Sequence, residues 1–429
     1  MLRQDQSESS RRRDSLVFAY ACFLLFWSLC QAYNIVDCYL RDSLSIQHSQ
    51  GKEYLSDFVH FYIAGTIAGS DNREHIYDPK IQDQTYKAVV GEEPRDDGLF
   101  TQHVPMLFAA MIPFASLPLN LSHLIWDIIS FIIGATGLIF LETVMLGKSI
   151  KLKVIFFLAI LASFPSWQTF INGQLSWLLL GLVCGFILAM VHRNDLSAGL
   201  FLALCSIKPQ YLPFLALPAF FQKRYGIYFW AFVFEGLIVF FTAEIVGFGN
   251  FLAYPTMIGE AEANAAHVAP HLMPCARGLL SAVFDQKETF SMMLPLALFG
   301  LAMLTTMFFL RRRQLNTQEG LCWAMRAAIL AGLFFSPHTH AYDCLLIGAA
   351  AVLLDDFSSA SRLKHSLSLR VWTILLLSYP ATSWICFFLG VLWPAIGMKI
   401  LGLINFALLI CALNQFWQLN DRPAHLSES

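Results

Sequence analysis

The sequence predicts an all-α integral membrane protein, a single polytopic domain over residues 1–429 with about twelve transmembrane helices. Three observations carry this prediction. Hydrophobic residues make up 57% of the chain and charged residues only 14%, a balance far from that of a soluble domain. Apolar stretches long enough to cross a bilayer recur at residues 16–33, 123–146, 226–247, 291–310, 371–392 and 396–418. Lysine and arginine are sorted by loop, which sets an orientation with both termini cytoplasmic.

Taken in order, Arg11, Arg12 and Arg13 precede the first span. That span has no small-residue cleavage site, because Cys30 follows Leu29, so it reads as a retained signal anchor. Residues 34–122 then form a long polar insert, the first extracytoplasmic loop, and long loops between spans commonly carry function. Within it, Ser56-Asp57-Phe58-Val59-His60-Phe61-Tyr62-Ile63-Ala64-Gly65 places Asp57, His60, Phe61 and Ala64 on one stripe of a helix with a capped start. Residues 104–118 are too short and too rich in proline to cross, and counting them as a span would put Lys148, Lys151 and Lys153 outside. A juxtamembrane hairpin or interfacial helix is expected there.

Further along, His192-Arg193, Lys223-Arg224, the arginines at 311–313, then Arg362, Lys364, Arg370 and Arg422 mark later cytoplasmic turns. Residues 197–207 and 211–222 are only half the length a span needs, and they flank Lys208-Pro209-Gln210. Broken spans are tolerated where their polar ends line a protein cavity, and Pro209 removes a backbone donor at the break. Residues 248–290 form a second long extracytoplasmic loop.

With this topology the unusual polar clusters all reach one membrane face: Asp57 and His60, Gln102-His103, Asn172-Gly173-Gln174, Lys208-Pro209-Gln210, Arg277, and His338-Thr339-His340-Ala341-Tyr342-Asp343. Ionisable groups gathered at span ends predict a shared site. Other chemistries find little support. The formal net charge of −2 and the lack of a polybasic run argue against nucleic acid as a partner. Neither a Walker loop nor a dinucleotide fingerprint is present, so soluble nucleotide sugars are not the expected donors. His338 and His340 lack a matched third ligand, and no metal or other cofactor is expected. The ten cysteines show no paired spacing; Cys38 and Cys275 are the one extracytoplasmic pair worth testing.

At these residues the chain resembles the GT-C glycosyltransferase superfamily, and within it glycosyltransferase family 87, whose members are polyprenol-phosphate-mannose-dependent. The resemblance rests on the order of Asp57 in DFVHFYIAG, Ile76-Tyr77, the proline-spaced segment 100–118, NGQ, KPQ and the late histidine cluster. Where relatives show Tyr-x-Pro, this chain has His103-Val104-Pro105, a departure that bears on the sugar rather than on the fold.

The resemblance implies a GT-C-type bundle that moves a mannose-like hexose from a polyprenyl-phosphate-linked sugar to a glycan or glycolipid acceptor. The reaction would invert the anomeric centre on the extracytoplasmic side of a bacterial inner membrane. Asp57 would be the general base, and Lys208, Arg277, His338 and His340 would receive the departing lipid phosphate. Gln174 and Tyr342, with His60, Tyr77, His103, Asn172 and Gln210, would position the substrates.

Plainer readings compete. Asp57 also suits a helix cap, Lys208 a side chain reaching to lipid phosphate, Arg277 a loop anchor, and Asn172 and Gln174 a stitch between helices. A lipid or sugar transporter, or a non-catalytic envelope-assembly protein, would use intramembrane charge differently.

Overall fold

A computed structural model describes residues 2–40, 46–49, 52–91, 101–147, 149–263, 269–281, 288–310, 313–353, 367–393 and 396–420. Lys148, the arginines at 311 and 312 and residues Arg362, Lys364 and Arg422 of the charge-sorting argument lie outside the described residues, as does Phe100. Helix α1 (Leu2–Leu40) contains the first apolar span and continues past residue 34, where the sequence had placed the start of the loop. Two tertiary bonds hold this extension. Tyr39 donates its hydroxyl to Asp127 Oδ2 at 2.6 Å, and Trp167 Nε1 donates to Asn34 Oδ1 at 3.0 Å.

The loop that follows departs from a purely helical expectation, since Ile46–Ser49 and Lys52–Leu55 pair as a short antiparallel hairpin. Helix α2 (Asp57–Ala68) then enters the protein interior with Phe58, Val59, Phe61, Ile63 and Ala64 all buried. Helix α3 (Pro79–Val90) starts on a capping bond from the Lys80 amide to Asp78 Oδ1, with Pro79 where a missing N–H costs nothing. Helix α4 (Pro105–Ala115) is a short helix, as the proline spacing predicts, and it packs against α2. Gly65 permits that approach: a Cβ there would lie 2.8 Å from Met111 Cβ.

The remaining elements are α5 (Leu119–Met145), α6 (Ile150–Leu161), α7 (Phe164–Asn172), α8 (Ser176–Val191), α9 (Asp195–Leu204), α10 (Leu212–Phe221) and α11 (Tyr225–Val246). They continue with α12 (Gly249–Ala263), α13 (Ala276–Leu280), α14 (Glu288–Leu310), α15 (Gln318–Phe335), α16 (Ile347–Val352), α17 (Leu367–Leu392) and α18 (Gly397–Asn420). Among the described residues, five helical stretches are long and apolar enough to cross a bilayer: Asp14–Leu40, Leu119–Met145, Tyr225–Val246, Leu369–Leu392 and Gly397–Gln418. The pair α6 and α7, bent by 53°, makes up to six.

These coincide with the predicted long spans except at residues 291–310, where α14 contributes a shorter apolar stretch, Pro295–Phe308. Other apolar helices, Ser176–Val191 and Asp195–Ile207 among them, fall below span length, so about twelve crossings do not follow from length and hydropathy alone. Large side chains such as Phe18, Phe232 and Leu304 stay exposed on the outer faces, while Trp177, Trp372 and Arg326 are wholly enclosed. An apolar exterior around a packed interior is the surface of a helical membrane protein.

Candidate active site

Four interruptions of helical structure converge on one cavity of about 420 Å³: the start of α2, the turn after α7, the break between α9 and α10, and the segment after α15. Asp57, His60, Gln102, His103, Asn172, Gln174, Lys208, Gln210, His338, His340 and Tyr342 all line it. Residues from every predicted cluster except Arg277 therefore share one space. Tyr254 and Ile258 of α12, with Leu272, add an apolar wall from the second long loop.

Asp57 is the first residue of α2 and not its cap; Ser56 holds the cap position, with no side-chain capping bond. The Asp57 carboxylate is held instead by a distant amide, Gln174 Nε2, which donates to Oδ2 at 2.7 Å. The α2 N-terminus favours a negative charge at that point.

Gln174 is aimed by the turn before it. Gly173 caps α7 in the left-handed region, φ 61° and ψ 33°, and its amide donates to Phe170 O. There is no room for a side chain, since a Cβ would sit 2.6 Å from both His123 Nε2 and Phe58 Cβ. Trp126 Nε1 donates to Gly173 O at 2.8 Å, and the His123 ring stacks on Phe58 with centroids 4.5 Å apart. The turn carrying Gln174 and the residue following Asp57 are thus clamped to the same face of α5.

Across the cavity, Lys208 lies between two short 3-10 turns, Cys205–Ile207 and Pro209–Tyr211, where Pro209 has no amide hydrogen to continue a helix. Its ammonium pairs with Asp343 Oδ1 and lies 4.9 Å from the centre of the Tyr342 ring. Asp343 is buried; Oδ1 also accepts from Ser176 Oγ at 3.3 Å, and Oδ2 accepts from the His340 amide at 3.1 Å. The His338 and His340 rings meet edge to face, centroids 4.8 Å apart, and His340 stacks on Tyr342 at 5.3 Å. Gln210 Nε2 donates to His338 O at 3.3 Å and so supports the histidine segment.

Two predicted site residues stand behind the wall. Arg277 donates to Pro337 O at 3.1 Å, which anchors the histidine segment from outside, and Tyr77 donates its hydroxyl to His103 O at 2.6 Å. Neither lines the cavity. Burial holds the His103 imidazole well below its usual protonation range, and the charges of Lys208, His338 and His60 push the same way. His103 is therefore neutral at physiological pH, with its ring 4.6 Å from that of Phe61.

Asp343 was not among the residues singled out for the site, although it ends the histidine string. The signal was available in principle, because a lysine taken into the interior requires a counter-ion. Gln168, another lining residue, precedes Asn172 by one helical turn and so shares its face. Among the described residues, no three histidine, cysteine, aspartate or glutamate side chains gather as a metal ligand set, and no disulfide joins Cys38 to Cys275.

No curated protein matches the chain. A sequence model of glycosyltransferase family 87 does match, over residues 100–337. That region carries His103, Asn172, Gln174, Lys208, Gln210 and Arg277, while Asp57 and the segment from His338 to Asp343 join the same cavity from outside it. With more than half of its length matched, the chain belongs to glycosyltransferase family 87.

Proposed function

We propose that this glycosyltransferase moves a mannose-like hexose from a polyprenyl-phosphate-linked donor to a hydroxyl of a glycan or glycolipid acceptor, with inversion. The observation that carries the reading is that an aspartate and a lysine from distant segments, Asp57 and Lys208, open on one cavity at the ends of membrane helices. A carboxylate that opens on an acceptor-sized cavity suits a general base. In the step, the acceptor oxygen attacks the anomeric carbon and gives its proton to Asp57. The bond from that carbon to the phosphate oxygen breaks, and its electron pair leaves with the lipid phosphate. Lys208, His338 and His340 receive the anion, so the leaving group needs charge stabilisation more than a general acid. Gln174 orients the base, while Arg277 and Tyr77 act at one remove by fixing the segments that carry His338 and His103.

The sorting of positive charge by loop supports a site on the extracytoplasmic side of a bacterial inner membrane, with both termini cytoplasmic. In that arrangement the short apolar helices α8, α9, α10 and α16 count as crossings alongside the long ones, their broken ends facing the cavity instead of lipid. Membranes containing the protein, supplied with radiolabelled polyprenyl-phosphate mannose, test the proposal. Transfer is expected, and Asp57→Asn should reduce it by about 10²–10⁴-fold at unchanged expression. Wild-type transfer by that variant would remove Asp57 from the chemistry, and transfer only from a nucleotide sugar would remove the lipid donor.

A further inference from the structure

The ion pair beneath the cavity has a composition that sets it apart from the rest of the site. Side-chain exposure is 5% for Lys208 and 1% for Asp343. Asp343 accepts three bonds, from the Lys208 ammonium, Ser176 Oγ and the His340 amide, and does not line the cavity. Lys208 does line it. An ammonium carries three donors, and only one is used by Asp343, so the others remain for a ligand.

We infer that Asp343 is a positioning residue whose buried carboxylate keeps Lys208 charged and aimed, so that the ammonium bridges Asp343 and the phosphate of a lipid-phosphate substrate. This rests on the donor class proposed above. Three geometric facts support it. The carboxylate is fixed from two further elements, α8 through Ser176 and the turn at His340, and so cannot follow Lys208 if the lysine moves. The Tyr342 ring, 4.9 Å from Nζ, offers a face to the cation but no anionic charge. Asp57 is engaged by Gln174 instead of by Lys208.

The titratable groups around Lys208 and its partner are Asp343 and Tyr342, Tyr211 of the turn that follows the lysine, His103 before α4, Asp57 and His60 of α2, and His338 and His340. A window of pH 8 to 9.5 lies above the ordinary ranges of free imidazoles and carboxylates and next to that of a free amine, which suits it to a lysine-dependent readout. Without Asp343, burial favours the uncharged amine.

The test measures binding of farnesyl phosphate to the purified full-length protein across that pH range. Wild-type binding should stay flat within about twofold, and Asp343→Asn should lose about tenfold per pH unit once the amine gives up its proton. Asp343→Glu, which restores the charge, should flatten the profile again. Adding Lys208→Arg to Asp343→Asn should also flatten it, because a guanidinium keeps its proton. A flat profile for Asp343→Asn with wild-type affinity overturns the inference alone. Failure of the wild-type protein to bind farnesyl phosphate at any pH overturns the donor class, and the inference with it. If Asp343→Asn is not monodisperse, the double variant Lys208→Gln/Asp343→Asn decides. Recovery shows that the single change stranded a buried cation; continued failure rejects the counter-ion role.

Discussion

Gly173 is the position where backbone conformation, packing and chemistry meet most tightly, and replacing it with alanine separates their contributions. At φ 61° an alanine adopts the left-handed region at a cost of roughly 1–2 kcal/mol. Its Cβ would also lie 2.6 Å from Phe58 Cβ and His123 Nε2, well inside contact distance, and such overpacking typically costs about 1–3 kcal/mol. The sum is roughly 2–5 kcal/mol. Gly91 supplies the control, since it too has positive φ, 86°, but no described atom lies within 4 Å of an added Cβ. Gly91→Ala should therefore show the conformational cost alone. Thermal melts of the two variants in detergent, followed by intrinsic fluorescence, should place Gly173→Ala below Gly91→Ala and both below wild type. Transfer should fall further than stability in Gly173→Ala alone, because the turn sets Gln174 against Asp57 and a misplacement near 1 Å costs about 10²-fold. Coincident melts, or a Gly173→Ala protein that transfers at the wild-type rate, would refute the claim that this turn positions the base.

Two further outcomes test the cavity. Gln174→Leu removes a hydrogen bond to a charged acceptor, worth about 1.5–3 kcal/mol, so transfer should drop about ten- to hundredfold; an unchanged rate would leave Gln174 with a packing role only. His103 has a folded-state protonation range held below that of the unfolded chain, near 6.5, so the unfolded state binds more protons in acid. The stability that neutral His103 contributes is thus complete above pH 6.5 and is lost as the pH falls below it. His103→Gln should reduce the fall in melting temperature between pH 7.5 and pH 5, and an identical fall in both proteins would contradict this burial argument.

The long apolar helices could be read from the sequence because length and hydropathy are local properties. The break at Lys208 was legible for the same reason: Pro209 cannot continue a helix, and the apolar runs on either side are half-length. What sequence could not supply was depth and pairing. Arg277 and Tyr77 belong to the right segments, yet their side chains tie down the backbone behind the cavity, and nothing in their spacing separates a wall from a surface. Asp343 meets Lys208 across 135 positions of chain, a relation that only tertiary packing creates. The continuation of α1 to Leu40 is likewise fixed by remote partners, Asp127 and Trp167, and the hairpin at 46–55 lies in polar sequence with no membrane period to mark it.

In the proposed reaction, the pairing of Lys208 with Asp343 bears on how one cavity would serve both a base and an anionic leaving group. A lone lysine and a lone aspartate in a small low-dielectric space attract strongly enough to bond to each other. That contact would commit the oxygen needed for the acceptor's proton and the hydrogens needed for the phosphate. Here each is held by another partner: Gln174 bonds to Asp57, and Asp343 bonds to Lys208. His103, kept neutral, lines the same cavity without adding a cation that would bind the base. Because α2, the turn after α7 and the two short turns around Lys208 carry these partners, the proposed base and the proposed phosphate-binding cation each keep a protein partner of their own.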